Sequence, residues 1–186
     1  VAAHPWHLRQ AARRFWLGGL IAYPTEAVYG LGCNPLDRDA VQRLLQLKQR
    51  PVEKGLILIA ADFDQLRPFI IEPPADVMAP VLASWPGPAT WLLPAAPETP
   101  AWLTGSHNAI AVRVTAHPLA AELCRACRSA LVSTSANVSG QKPAKSALAL
   151  HNQFRGQLDF VLHGKLGMLR QPTPIRDAMS GRLIRA

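Results

Sequence analysis

Four groups of residues in this 186-residue chain have the types that hold anionic or zwitterionic ligands, and each falls where a strand is expected to give way to a loop. Lys48, Arg50 and Lys54 crowd into the run LKQRPVEKGLILIA, Thr25 stands beside Glu26, Arg113 follows Ala111-Val112, and Ser133, Ser135 and Asn137 share the run STSAN. Arginine grips phosphate or carboxylate with a planar fork, and lysine does so as a point charge. Closely spaced hydroxyls, an amide and backbone N–H groups around Ser135 and Asn137, ahead of Gly140, suit a small polar ligand or a phosphate nest. Each group alone has a plainer reading as a solvated basic loop, a hydrogen-bonded turn or an edge-strand cation. In open α/β sheets, however, ligands collect where strands end, so convergence of the four groups on one crevice is what would make a site.

The elements that must position these groups follow from hydrophobic periodicity. Leu8, Ala11, Ala12, Phe15 and Trp16 recur at helical spacing after Pro5 and stop at Gly18-Gly19, which predicts an amphipathic first helix. A strand over 20–23 is expected to break at Pro24, and the stretch from Thr25 to Cys33, with Gly30 and Gly32, reads as a loop before the Asn34-Pro35 turn. Asp37 or Asp39 can cap a second helix whose apolar face is Val41, Leu44, Leu45 and the aliphatic stem of Lys48. Pro51 ends that helix near Gln49, Gly55 lets the chain turn back, and Leu56–Ile59 is short and apolar enough for an inner strand. Further on, the pattern predicts a short helix capped by Asp62, a helix from Pro73-Pro74 to Ala83, and a strand over 89–93. A strand over 110–114 should carry Arg113 near its end, with a helix from Pro118 to Cys127 and a strand over 130–133 beyond it. A helix near 146–154 and strands near 160–162, 174–176 and 183–185 close the chain, the last two joined at Ser180-Gly181. Loose alternation without a strict βαβ repeat predicts an α/β fold, a single domain over 1–186 with a mixed sheet.

Composition narrows the classes. A net charge of +8, from 20 Lys+Arg against 12 Asp+Glu, favours anionic partners such as nucleotides or RNA without choosing between them. Cys33, Cys124 and Cys127 are too few and too odd for a disulfide framework and imply a reducing compartment, hence a cytoplasmic protein. The Cys124/Cys127 pair lacks a second pair to complete a zinc site and reads as structural, the histidines have no metal-ligand spacing, and no metal site is expected. No apolar run reaches membrane-spanning length. There is no GxxxxGK[ST] loop, and Gly30-Leu31-Gly32 lacks the third glycine of a dinucleotide fingerprint. Ser139-Gly140-Gln141-Lys142 spells SxxK, but no KTG follows, which argues against a serine acyl-enzyme.

Taken in order, PTEAVYGLG from Pro24, LKQRP from Leu47, KGL from Lys54, AVRV from Ala111, STSANVSG from Ser133, IRD from Ile175 and LIR from Leu183 resemble the threonylcarbamoyl-AMP synthase family, YrdC/TsaC type, in its short single-domain form. That resemblance implies a twisted mixed sheet flanked by helices with a basic concave face. It also implies a nucleotidyltransferase joining L-threonine, bicarbonate or CO2 and ATP into threonylcarbamoyl-adenylate and pyrophosphate, the first step of threonylcarbamoyl transfer to adenosine 37 of tRNA. Mg2+ would come with ATP as substrate, without a permanently bound cofactor, and the partners would be the proteins of the transfer complex and tRNA. Position by position, it implies that Lys48, Arg50, Lys54, Ser135, Asn137 and Arg185 bind ATP, with Lys48 and Arg50 catalytic. Thr25, Arg113 and Ser133 would bind threonine. The chain departs from longer members at Lys54, Pro143 and Pro174. Two other readings remain at this point: a non-catalytic module binding double-stranded RNA or tRNA through phosphates, and a carbamoyl or adenylate transferase acting on another amine.

Overall fold

Register, rather than element count, explains where the open surface of this protein lies. The computed structural model describes residues 4–169, 171 and 173–185. Among these, nine strands form one mixed sheet in the order β7-β1-β2-β6-β3-β5-β4-β8-β9. The strands are β1 (Ile21–Pro24), β2 (Tyr29–Gly32), β3 (Ile57–Ala60), β4 (Thr90–Pro94), β5 (Ala109–Val114), β6 (Leu131–Ser135), β7 (Phe160–Val161), β8 (Ile175–Asp177) and β9 (Leu183–Arg185). Pairs β1/β7, β3/β5 and β4/β8 are parallel and the other five are antiparallel. The helices are α1 (Pro5–Trp16), α2 (Arg38–Lys48), α3 (Ala75–Ala83), α4 (Ala101–Thr104), α5 (Pro118–Cys127) and α6 (Ala147–Phe154).

Side chains alternate between the faces of a strand, so each strand contributes to two cores. Ala22, Leu31, Leu58, Val112 and Val132 pack against Val41, Leu44 and Leu45 of α2, Met78 and Val81 of α3, Leu103 of α4 and Leu150 and Phe154 of α6. Their sequence neighbours Ile21, Tyr23, Ile59 and Leu131 point the other way, under α1 and α5. Ala11 and Ala12 of α1 and Ala120 and Ala121 of α5 are small enough to let these two helices lie close. Two helices cannot cover nine strands. On their side of the sheet the register also aligns Gly30 with Ser135, Ile57 with Ser133 and Ala111, Leu92 with Ala111 and Asp177, and Ile175 with Arg185. These positions lie beyond the two helices and floor a long cleft.

Most of the predicted elements are present, with informative differences. Asp37, not Asp39, caps α2 by accepting from the Ala40 amide, and Gln49 ends it in a left-handed conformation. Asp62 accepts from the Gln65 amide in a turn, and the short helix that follows is a 3-10 helix, Arg67–Phe69, capped at Leu66 and not at Asp62. Pro24 does not break β1 but pairs with Tyr29 at its end. The expected loop from Thr25 to Cys33 contains β2: a Cβ on Gly32 would meet the Val132 carbonyl at 2.4 Å, so glycine here allows β2 and β6 to approach. Trp16, expected on the buried face of α1, is 59% exposed. Cys124 and Cys127 are buried free thiols, and burial pushes the Cys127 thiol up to about 12, consistent with a structural pair. Among the described residues no helix is long and apolar enough to cross a membrane.

Candidate functional site

Each group singled out by the sequence reaches the cleft by a different route. The link between β1 and β2 is closed by Thr25, whose amide and hydroxyl both donate to the Val28 carbonyl, at 3.0 and 2.7 Å. Pro51 leads into a 3-10 turn, Val52–Lys54, and Gly55 at φ 61° reverses the chain into β3. Arg50 bends over that turn, its Nη2 donating to the Gly55 carbonyl at 2.9 Å and its Nε reaching the same oxygen at 3.3 Å. Arg113 stands on β5 one position before the strand end, opposite Ile59. Arg185 leaves β9 and donates to the Thr173 carbonyl at 3.3 Å.

Two adjoining cavities result. The first, about 140 Å³, is lined by Thr25, Glu26, Gly30, Arg50, Arg113, Ser133, Ser135, Thr173 and Arg185, among others. Gly30 matters there because the missing side chain leaves open the floor opposite Ser135. The second, about 450 Å³, has mainly apolar walls, from Leu56, Ile57, Leu92, Leu103, Ala111, Ile175 and Ile184, with Lys54, His107, Asn108 and Asp177 at its margin. Arg50, Leu56, Ile57 and Arg185 line both cavities, and the two arginines are the charged part of the ridge between them.

Of the nine residues expected at the site, Thr25, Arg50, Arg113, Ser133, Ser135 and Arg185 therefore share the first cavity, and Lys54 lies in the second. Lys48 and Asn137 are not among the residues lining either cavity. Lys48, 4% exposed, turns its ammonium beneath the serine loop and donates to the carbonyls of Ser135 and of Asn137, the latter at 2.8 Å. Burial, then the neighbouring charge of Arg50, pushes its pKa down to about 8. Asn137 accepts from the Ser135 hydroxyl at 2.6 Å and donates to the carbonyls of Val138 and Gln141. Both residues thus brace the loop that presents Ser135, behind the place where the phosphates were expected.

Sequence reasoning placed Glu26 in a polar cluster without a role and overlooked Thr173. Glu26, 8% exposed, accepts from the Thr115 hydroxyl at 2.6 Å and faces Arg113, 6% exposed, with 3.4 Å between Oε2 and Nη2. Burial raises the pKa of this carboxyl, but Arg113 and the Thr115 hydroxyl outweigh burial, so the net shift is downward. Arg113 Nη1 donates to the Thr173 hydroxyl at 2.6 Å, and that hydroxyl lies 3.2 Å from Thr90 Oγ1. Thr173 sits between two prolines in a QPTPI run and lines the cavity one position before Pro174, where the resemblance marked a departure. On the ridge, burial and then the charge of Arg185 lower the pKa of Arg50, and burial and then Arg113 lower that of Arg185. Two guanidiniums whose charge is disfavoured in this way mark a place where an anion is favoured. Among the described residues no cluster of three or more His, Cys, Asp or Glu side chains could hold a metal ion.

Comparison with known proteins places this geometry in context. The Sua5/YciO/YrdC family model, described as "Telomere recombination", matches residues 15–186. A threonylcarbamoyl-AMP synthase of Halorhodospira halophila is 51% identical over 181 residues, 97% of this chain and 95% of the relative. That of Nitrosococcus oceani is 49% identical over the full length of both. Among solved structures, P. abyssi Sua5 complexed with L-threonine superposes with a TM-score of 0.88 at 34% identity, covering 94% of this chain and 51% of that one. This chain thus spans about half the length of the Sua5 structures it matches. E. coli YciO superposes at a TM-score of 0.81 with 26% identity, covering 91% of this chain and 82% of that one. With the family model spanning nearly the whole sequence, this chain belongs to the Sua5/YciO/YrdC family.

Proposed function

We propose that this protein is a threonylcarbamoyl-AMP synthase, condensing L-threonine, CO2 from bicarbonate and ATP into threonylcarbamoyl-adenylate and pyrophosphate. The observation that carries the reading is the joining of an amino-acid-sized polar cavity to a larger apolar-walled one across an arginine ridge. The naming of relatives at about 50% identity and the L-threonine complex of P. abyssi Sua5 support it.

In this reading the threonine carboxylate binds toward Arg113, and its side chain lies among Thr25, Ser133 and Thr173. The nucleoside lies in the second cavity against Leu92, Ala111 and Ile175, and its phosphates pass from Lys54 across the ridge of Arg50 and Arg185 toward Ser135. Mg2+ is written as part of the ATP substrate. The amine nitrogen of threonine attacks the carbon of CO2, forming an N–C bond as one C–O π pair moves onto oxygen and the amine proton leaves to water. A carbamate oxygen then attacks the α-phosphorus in line, and the bond to the bridging oxygen breaks to release pyrophosphate. Both reactants of this second step are anions. Their repulsion is what Arg50 and Arg185 offset, while the braced serine loop holds Ser135 in place without reorganisation. Such an arrangement works through position and charge and uses no protein nucleophile. The product is then available for transfer to adenosine 37 of tRNA by separate proteins.

A purely RNA-binding module is less well supported, since a phosphate-tracking surface has no use for a buried glutamate paired with an arginine in the wall of a cleft. The test is to incubate the protein with ATP, L-threonine and 13C-bicarbonate and analyse products by mass spectrometry. One pyrophosphate for each adenylate bearing a 13C-labelled carbamoyl group is the expected result. Pyrophosphate release independent of threonine would overturn the reading.

A further inference from the structure

The first cavity contains more charge than carboxylate recognition needs. A site built only to hold a carboxylate would leave its arginine unopposed, because a fixed anion beside the guanidinium repels the incoming one. Here Glu26 does lie beside Arg113, and the separation of Oε2 from Nη2, 3.4 Å, is long for a charge-assisted hydrogen bond. The rest of each side chain is fixed in place. Glu26 Oε1 is held by the Thr115 hydroxyl at 2.6 Å, and that same Thr115 oxygen accepts from the His117 amide at 3.1 Å. Arg113 Nη1 is held by the Thr173 hydroxyl at 2.6 Å. The backbone of Glu26 is pinned from outside, its carbonyl accepting from the Leu169 amide at 3.0 Å, and the Thr25 carbonyl accepting from the Gly167 amide at 2.9 Å.

Within this fixed frame two polar atoms have no hydrogen-bond partner although they are shut from water: Glu26 Oε2 and Arg113 Nε. Buried orphans of this kind are costly, more so when charged, and a pair of opposite sign on the wall of one cavity is not explained by packing. Their complement is a small molecule carrying an ammonium and a carboxylate on the same carbon. Resting on the threonine reading above, we infer that Glu26 Oε2 receives the α-amino group of the substrate while Arg113 takes its carboxylate, so that the pair selects α-amino acids over plain carboxylates. The same contact directs the reaction. With one N–H held by Glu26 and the carboxylate by Arg113, the amine has its remaining valence turned into the cavity, toward the ridge where CO2 and the phosphates must meet it. The bound ammonium first loses one proton to water, which frees the nitrogen lone pair, and a second proton passes to water when the N–C bond forms; Glu26 serves throughout as an acceptor that orients the nitrogen.

The test uses two probes on the full chain, L-threonine and 3-hydroxybutyrate of matching hydroxyl configuration, which is threonine without its amino group. Titration calorimetry on the wild type should show L-threonine bound roughly 100-fold tighter, as expected when a buried charge is left unpaired by the wrong ligand. In Glu26→Gln, which keeps the shape and removes the charge, that ratio should fall to within about threefold through weaker threonine binding. Glu26→Asp should recover part of the discrimination, a pattern that general loosening of the cavity would not give. Wild-type binding of 3-hydroxybutyrate within about threefold of threonine overturns the inference without any variant, which keeps it open to refutation should Glu26→Gln fail to fold. Threonine binding with the ratio intact in Glu26→Gln also overturns it and leaves the proposed function standing. Failure of the wild type to bind threonine at all removes both.

Discussion

In the first cavity the guanidinium of Arg113 is paired with the carboxylate of Glu26, whereas on the ridge Arg50 and Arg185 are held by carbonyl oxygens and form no ion pair with a carboxylate among the described residues. The three arginines are equally part of one cleft, yet the first is compensated and the other two are not. A compensated charge suits a ligand that is itself neutral overall, as a zwitterionic amino acid is. Uncompensated charges whose pKa values are lowered by burial and by a neighbouring guanidinium suit a ligand with surplus negative charge, as a triphosphate is. In the proposed function the cleft separates its two substrates by charge balance before any shape is considered.

The largest effect should come from removing an uncompensated cation. Arg50→Ala is expected to lower threonine-dependent pyrophosphate release on the order of 100-fold or more, with threonine affinity nearly unchanged. A variant that releases pyrophosphate at the wild-type rate would dissolve the distinction between ridge and cavity. Next in size, Ala111→Phe should fill the second cavity, which Ala111 lines opposite Leu92, and raise the KM for ATP roughly tenfold. Threonine titration should be unaffected; equal weakening of both ligands would mean that the cavities do not divide the substrates as described.

The sequence made the ridge legible and the compensation hard to see, for physical reasons. The run Leu56–Ile59 is apolar enough to demand an inner strand, so Pro51 and Gly55 had to turn Arg50 and Lys54 toward its entrance. Arg113 was readable because it interrupts Ala109–Val114 near a strand end. Glu26 finds its partners 87 and 89 residues away, at Arg113 and Thr115, and no local period encodes such a meeting. Strand β2 was hidden because two glycines in four residues signal a turn, whereas Gly30 and Gly32 serve one to open the cavity floor and the other to let strands close up. Lys48 could be placed on the buried face of α2, but the side chain's destination could not, since its acceptors are backbone carbonyls that the fold alone brings under the helix end.

That position of Lys48 makes a smaller prediction. Its folded pKa of about 8 lies below the usual lysine value near 10.4, so between these two the unfolded chain binds the proton that the folded one has lost. Stability therefore gains from Lys48 as pH rises through that window, and below about 8 the cost of burying the charge is fully present. Urea titrations from pH 7 to 10 on wild type and Lys48→Met should differ in slope by up to about one proton, the wild type having the more positive slope. Parallel curves would place the ammonium in water. The smallest effect belongs to the half-exposed pair Arg43 and Asp159, 3.0 Å apart and remote from the cleft. Arg43→Ala should cost about 1 kcal/mol or less and leave the KM values for threonine and ATP alone, as read by urea denaturation and steady-state kinetics.

In the proposed function two ligands of different charge occupy adjoining cavities at once. L-threonine titrated into the protein saturated with α,β-methylene-ATP, which cannot react at the α-phosphorus, measures it directly. One threonine bound per chain is expected, with affinity equal to or tighter than that without nucleotide. Mutually exclusive binding, with threonine affinity falling in proportion to the nucleotide concentration, would contradict it.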